Sequence, residues 1–220
     1  ITSRPTKRLQ RAITGGEPVE LSVIFPPNLL PALDKGKVML CFEAKWSNGR
    51  TPLNALPLTT PFQFSESDLV LLDALEEISP TEIPAMMMLD TETFAEILPA
   101  LAEHPRLTIG KSQSLQVLRE PMRLKLKFML EPPGEISLFH NDNNFTGKLI
   151  SASSGTWLFR DGVFQPLPKC AVSIFSAGQN APRFGLAESQ RIQLPRERVP
   201  QFLSQEWSAL QSSCEIEANF

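Results

Sequence analysis

The C-terminal third of the chain contains Ser154-Gly155-Thr156-Trp157-Leu158-Phe159-Arg160-Asp161-Gly162-Val163-Phe164-Gln165-Pro166-Leu167-Pro168, then Ile192-Gln193-Leu194-Pro195, then Val199-Pro200-Gln201-Phe202-Leu203, and last Cys214-Glu215-Ile216-Glu217-Ala218. Trp157-Leu158-Phe159 and Val163-Phe164 flank Asp161-Gly162, a dipeptide that accepts the positive φ angles of a tight hairpin turn. Arg191-Ile192-Gln193-Leu194 predicts a short strand and Glu215-Ile216-Glu217-Ala218 another. Between them a helix is expected from Pro195 to about Gln211, with Pro200 in the first turn, where a missing N–H costs little. Val199, Phe202, Leu203 and Leu210 are its predicted buried face, packed against the sheet that carries Trp157 and Phe164. Trp207 lies about 40° from Leu203 on a helix of 3.6 residues per turn, at the edge of that face, and is a candidate docking residue. Hairpin, strand, helix, strand is the order of an α+β fold: antiparallel β-hairpins and short sheets covered by about three amphipathic helices.

Upstream the same pattern recurs. Met122-Arg123-Leu124-Lys125-Leu126-Lys127-Phe128-Met129-Leu130 alternates strictly, so Leu124, Leu126, Phe128 and Leu130 are expected to face a core and the basic residues the other side. Glu135-Ile136-Ser137-Leu138-Phe139 is its hairpin partner across Pro132-Pro133-Gly134. Val19 to Phe25 and Lys37 to Ala44 predict a strand pair, and the Pro-rich crossing from Pro52 to Pro61 leaves no room for a regular element. Ser65 with Asp68 caps a helix whose apolar set is Leu69, Leu72, Leu75 and Ile78. Asp90 opens a second, which buries Phe94, Ile97, Leu98 and Leu101. Two halves, 1–109 and 110–220, divide the strand pair and acidic helices from the antiparallel strands and C-terminal helix, unless the chain forms one compact unit.

With 220 residues, 42% hydrophobic and 20% charged, the chain is in the globular range and is excluded from the wholly disordered class. A net charge of −3 excludes a chain that is basic overall. Ile1 is not Met, and no signal-like or membrane-length apolar run follows, which is expected of a piece of a larger soluble, cytoplasmic chain without a membrane partner. Cys41, Cys170 and Cys214 are widely spaced, with only His104 and His140 as imidazoles, so buried thiols are expected and neither a metal nor a cofactor. Charge is segregated. Ten acidic residues and no Lys or Arg lie between Phe64 and Glu103. Arg106, Lys111, Arg119, Arg123, Lys125 and Lys127 follow, and Arg4, Lys7, Arg8 and Arg11 precede. The acidic segment is expected to face away from any polyanion the chain touches.

Motifs that resemble catalytic signatures fail on chemistry. Gly110-Lys111-Ser112 has the ending of a phosphate-binding loop, but Pro105 stands where that loop needs a Gly, and Pro offers no N–H to a phosphate. Asp142-Asn143-Asn144-Phe145-Thr146-Gly147 imitates half a calcium loop, yet the closing Glu is Ser153. No Gly-x-Ser-x-Gly elbow is present, and Met86-Met87-Met88 reads as adaptable core filling. No catalytic residue is predicted. The stripe Arg123, Lys125 and Lys127, with Arg119 just before it, is the feature with a binding mechanism. Alternate side chains on a strand lie about 7 Å apart, close to the spacing of phosphates, so the stripe and the basic arm Arg4, Lys7, Arg8 and Arg11 are DNA-contact candidates. A solvated, solubilising face is the other reading of the stripe.

Phe64-Ser65-Glu66-Ser67-Asp68-Leu69 with Leu71-Leu72, Phe94-Ala95-Glu96-Ile97-Leu98, His104-Pro105-Arg106-Leu107, Leu124 to Phe128, Trp157 to Gly162, and Val199 to Leu203 before the strand around Ile216 form an ordered series through most of the chain. In that order and spacing the chain resembles the accessory, helicase-associated region ahead of the motor in bacterial SWI/SNF-type helicases. The resemblance implies a regulatory or DNA-positioning module, without ATPase motifs of its own. Its implied partners are the two RecA-like ATPase lobes of the same full-length chain and duplex DNA. A stand-alone protein-interaction module with no nucleic-acid role remains the alternative, and an enzyme acting through His104 or His140 a third.

Overall fold

Alternation along Lys37-Val38-Met39-Leu40-Cys41-Phe42-Glu43-Ala44 aims every second side chain at one face, and in the computed structural model Val38, Leu40, Phe42 and Ala44 are buried while Lys37 and Met39 are exposed. The structure describes residues 8–82, 84–131, 135–140, 147–168, 192–194 and 196–219, with backbone alone at 124, 131, 135–140, 192, 193 and 213. The fold is α+β, as expected, and its described residues fall into two compact units. One comprises residues up to 119 with 150–154 and 162–164; the other comprises 120–149, 155–161 and the residues from 165 onward, as far as these are described.

The strands of the first unit are β1 (Gln10–Arg11), β2 (Glu17–Pro18), β3 (Glu20–Phe25), β4 (Lys37–Trp46), β5 (Gly49–Pro52), β6 (Pro61–Gln63), β7 (Met86–Asp90), β8 (Leu107–Ile109), β9 (Gln113–Ser114) and β10 (Gln116–Val117). Its helices are α1 (Leu29–Asp34), α2 (Glu66–Ile78) and α3 (Thr91–Leu101). The main sheet runs β5-β4-β3-β8-β9, and β7 also pairs with β4. β3 is antiparallel to β4 and parallel to β8. Beside it, β6 lies between β1 and β2 in a small parallel sheet. Between Pro52 and Pro61 there is only a single 3-10 turn, Leu53–Ala55.

Both helix starts follow the expected capping. The Ser65 hydroxyl accepts the Asp68 N–H, and Asp90 Oδ1 accepts the Thr93 N–H at 2.8 Å. Helix α3 buries Phe94, Ile97, Leu98 and Leu101 as predicted, and Ala95 with them. Helix α2 is rotated from its predicted face. Asp68, Leu71, Leu72 and Leu75 are buried, whereas Ile78 is 36% exposed. The inward set keeps helical spacing, but it begins at a carboxylate, because polar partners for Asp68 wait inside. Phe25, Phe94 and Phe164 meet in a triangle with centroids 5.6–6.2 Å apart, an arrangement that adds about 0.5–1.5 kcal/mol per aromatic pair beyond burial.

Met86 and Met88 correct the expectation of core filling: they are 63% and 61% exposed. They sit on β7, a sheet-edge strand whose alternation turns Leu89 inward and these two outward.

The second unit contains β11 (Leu124–Glu131), β12 (Glu135–His140), β16 (Ile192–Leu194) and β17 (Cys214–Ala218) in the order β16-β12-β11-β17. The hairpin of β11 and β12 has the expected register, Glu131 opposite Glu135. β17 joins β11 in parallel, a pairing between segments about ninety residues apart that no local pattern announces. Strands β13 (Lys148–Ala152), β14 (Gly155–Arg160) and β15 (Val163–Pro166) lie between them in sequence. Asp161 and Gly162 both have positive φ, 49° and 80°, as the tight turn between β14 and β15 requires.

The helical stretch 199–213, here α4, consists of Val199–Gln201, a π-helical segment Phe202–Glu206, and Trp207–Ser213. Phe202 and Leu210 are buried with Leu126, Phe128, Leu158, Leu167 and Cys214. Leu203, expected to be buried, is 40% exposed. The π segment, Phe202–Glu206, explains the change: its turn is wider than 3.6 residues, so a phase extrapolated from α-helical spacing misplaces Leu203 within it. Phe202 packs on Phe128 of β11, 5.6 Å between centroids, and shares its core with Leu158 of β14, the strand that carries Trp157. Leu130, expected to be buried, is 46% exposed, since β17 ends its pairing at Ala218 opposite Phe128.

Candidate functional site

Asp68 is fully buried in the first turn of α2, where an unpaired carboxylate would be strongly disfavoured. Two residues that follow α3 satisfy it. His104 Nδ1 accepts the Arg106 backbone N–H at 3.3 Å, which leaves the ring proton on Nε2, donated to Asp68 Oδ1 at 3.0 Å. Arg106 Nη2 donates to both carboxylate oxygens at 2.9 Å, and its Nε–H is donated to the Leu21 carbonyl of β3. Burial pushes the Asp68 carboxyl up, but the hydrogen bonds from His104 and Ser65 and the charge and hydrogen bond of Arg106 outweigh it and hold the carboxyl below its ordinary value. The cluster joins the start of α2, the segment after α3 and strand β3. The His104 side chain is as closed to solvent as that of Asp68, so the pair is built to hold elements together rather than to meet a substrate. Sequence reading noted Ser65, Asp68, His104 and Arg106 separately and missed that they converge. The signal was present: a carboxylate in an apolar helix position and a His-x-Arg ahead of a buried strand.

The basic candidates divide. Lys125 and Lys127 of β11 stand in register with Glu215 and Glu217 of β17, with ion pairs of 3.7 and 2.9 Å. Arg119 meets Glu103 at 3.6 Å. Arg11 bridges Asp73 and Glu76 of α2, and Arg8 lies 3.9 Å from Glu76. Arg123 is exposed just before β11, with no ion pair among the described residues. Arg4 and Lys7 lie outside the described residues, as do Cys170 and residues 142–146 of the calcium-loop imitation. Lys125 and Lys127 lie on β11, with Arg119 and Arg123 ahead of it in sequence, and β17 places carboxylates alongside the two lysines. The acidic segment is likewise not turned away from the basic ones: within the first unit Asp68, Asp73, Glu76 and Glu103 meet Arg106, Arg11, Arg8 and Arg119.

Trp207 is half-buried on α4, its ring 5.0 Å from that of Phe128 and 5.9 Å from that of Phe202, both edge-on. Gly110-Lys111-Ser112 forms the turn between β8 and β9, with Gly110 at φ 59°. Cys41 is half-buried and Cys214 buried, both as free thiols. An open cleft of about 520 Å3 between β2, β4 and β6 is lined by Trp46, Lys45, Glu20 and Phe64 among others. Among the described residues no group of three or more His, Cys, Asp or Glu side chains is placed to hold a metal, and no helix is long and apolar enough to cross a membrane.

Compared with family models, curated proteins and solved structures, the chain matches none of them.

Proposed function

We propose that this chain is a non-catalytic accessory module of a bacterial SWI/SNF-type DNA helicase, and that it positions the motor lobes through protein contact rather than by laying DNA along its basic strand. The observation that carries the second half is the pairing of Lys125 with Glu215 and Lys127 with Glu217. A duplex drawn to β11 meets a ladder of alternating sign, where the phosphate attraction of each Lys is offset by the repulsion of a neighbouring carboxylate. The parentage rests on the resemblance. It is supported by the fact that the segments carrying it supply Asp68, His104 and Arg106 of one buried cluster and Leu126, Phe128, Leu158 and Phe202 of one core. A shared pattern made of such residues is a pattern of fold. For the contact itself, exposed Leu203 and half-buried Trp207 offer two apolar side chains on α4.

The test uses this chain and the motor lobes expected downstream of Phe220. Titration calorimetry should show the chain binding the lobes, and Trp207→Ala together with Leu203→Ser should weaken that binding. Duplex DNA should bind the isolated chain weakly, with steep salt sensitivity. Tight duplex binding that disappears in the Lys125→Ser, Lys127→Ser variant would instead make the strand a DNA track. If the sequence after Phe220 carries no ATPase motifs, the stand-alone interaction module favoured by the same neutral ladder takes its place.

A further inference from the structure

The outward face of the main sheet holds four sulfur-bearing side chains side by side. In β4 and β7 the register sets Met39 opposite Met88 and Cys41 opposite Met86. Residues two apart on a strand share a face, so all four lie on the face opposite Val38, Leu40 and Leu89, which are buried. Met39, Met86 and Met88 are 38%, 63% and 61% exposed, and Cys41 is half-buried.

The hydrogen-bond pattern fixes how close the pairs are. Phe42 N–H donates to the Ala85 carbonyl at 2.8 Å, one step beyond the Cys41–Met86 pair. In an antiparallel ladder hydrogen-bonded and non-hydrogen-bonded pairs alternate, so Cys41–Met86 and Met39–Met88 are both of the non-hydrogen-bonded kind. Such pairs bring their side chains closest, with Cβ atoms about 4.5–5.5 Å apart. The two pairs are about 7 Å from each other along the strands, a gap that flexible thioether arms cross readily.

Exposed apolar side chains on an open sheet face are costly, and Leu or Val would be as good as Met if the face merely packed on something. What these four positions share is a soft donor atom. Three thioethers and one thiol, without an imidazole or a carboxylate in the set, are suited to a soft monovalent d10 cation and poorly suited to zinc, magnesium or calcium. Thioethers carry no proton to displace, and Cys41 would release its thiol proton to solvent on ligation.

We propose that Met39, Cys41, Met86 and Met88 form a surface binding site for Cu(I), with Ag(I) as its redox-silent equivalent. The site is independent of the helicase reading and of the basic strand.

The experiment labels the methionine methyl groups with 13C and titrates the chain with Ag(I) in chloride-free buffer. Of the six methionines, Met39, Met86 and Met88 should shift and saturate at one equivalent, while Met122 and Met129 of the second unit stay in place. Competition for Cu(I) with a chromophoric chelator under anaerobic conditions then gives the affinity. The Met39→Leu, Met86→Leu, Met88→Leu variant keeps every thiol and nearly the same side-chain volume at exposed positions, so it should fold as the parent does. It should bind Cu(I) at least about tenfold more weakly, and Cys41→Ser should weaken it as well. Methyl signals that do not move, that move alike in all six methionines, or a triple variant with the parent's affinity would each overturn the proposal. The last of these would assign the metal to thiols alone.

Discussion

Replacing Asp68 by Asn tests the cluster that holds the first unit together. The amide keeps the size of the carboxylate but removes the charge that Arg106 faces and turns one acceptor into a donor. Arg106 loses half of its two-oxygen contact, and the His104 Nε2–H meets either an N–H or a weaker acceptor. The imidazole cannot answer by moving its proton without abandoning the Arg106 N–H that Nδ1 accepts. Breaking a buried pair from one side costs about 3–5 kcal/mol. The Arg106 side chain is 27% exposed and can be re-solvated in part, so the expected loss is near the low end, about 3 kcal/mol. The carboxyl is held below its ordinary value in the folded state, so the stability it contributes is complete above the unfolded value of about 3.9 and is lost as pH falls through the folded one. Urea melts of parent and variant at pH 7 should therefore differ by about 3 kcal/mol, and the gap should narrow only below about pH 4. A variant within about 0.5 kcal/mol of the parent at pH 7, or a gap that survives undiminished under acid, would refute the assignment of Asp68 as a charged, fully paired staple.

Phe202→Ala should cost about 3–5 kcal/mol by opening the second core, and Leu203→Ala no more than about 0.5 kcal/mol, which denaturant melts will resolve. Trp207→Ala should fall between them, because its ring packs on Phe128 and Phe202 while part of it stays in solvent; a loss as large as that of Phe202→Ala would make it a core residue and leave no docking surface there. A double-mutant cycle on Lys127 and Glu217 should give a coupling of about 0.2–1 kcal/mol that salt removes, since both side chains are exposed. Calorimetry with Mg-ATP should give no heat of binding to the isolated chain, because Gly110-Lys111-Ser112 is a hairpin turn without a helix N-terminus behind it; micromolar binding would contradict this.

How much of this could be read in advance depended on how local the cause was. Ser65 and Asp90 were legible as caps because a cap is set by a side chain and a backbone N–H three residues away. Phe94, Ile97, Leu98 and Leu101 were legible because one periodicity covers the whole of α3. The rotation of α2 was not, since burying Asp68 is unfavourable until His104 and Arg106 arrive from more than thirty residues away. Leu203 was misplaced because spacing of 3.6 was extended through a π segment. Met86 and Met88 were misplaced because composition says that methionine packs well but not that its strand lies at a sheet edge.

Charge gives the clearest case of a pattern legible in the chain whose pairing in space was not. Segregation into a basic arm, an acidic middle and a basic stretch suggested a molecule with opposed faces, one of them for a polyanion. Folding brings the blocks together instead: Arg8 and Arg11 reach α2, Arg106 enters the buried cluster, Arg119 meets Glu103, and farther on Lys125 and Lys127 are matched one for one by β17. Blocks of like charge repel within themselves and attract one another, so segregation along the sequence penalises wrong pairings of segments and favours the right ones. Most of these pairs are exposed and contribute little each to stability. Their larger consequence is for binding, because a lysine already flanked by a glutamate attracts a phosphate less than a free one does. On this argument, neutralising Glu215 and Glu217 to Gln should raise duplex affinity at low salt, while the same change at Glu96, whose carboxylate accepts from Ser153 and the Ser154 N–H, should leave it unchanged. Equal effects from both would mean that only net charge matters and that the register of β17 against β11 has no bearing on duplex affinity.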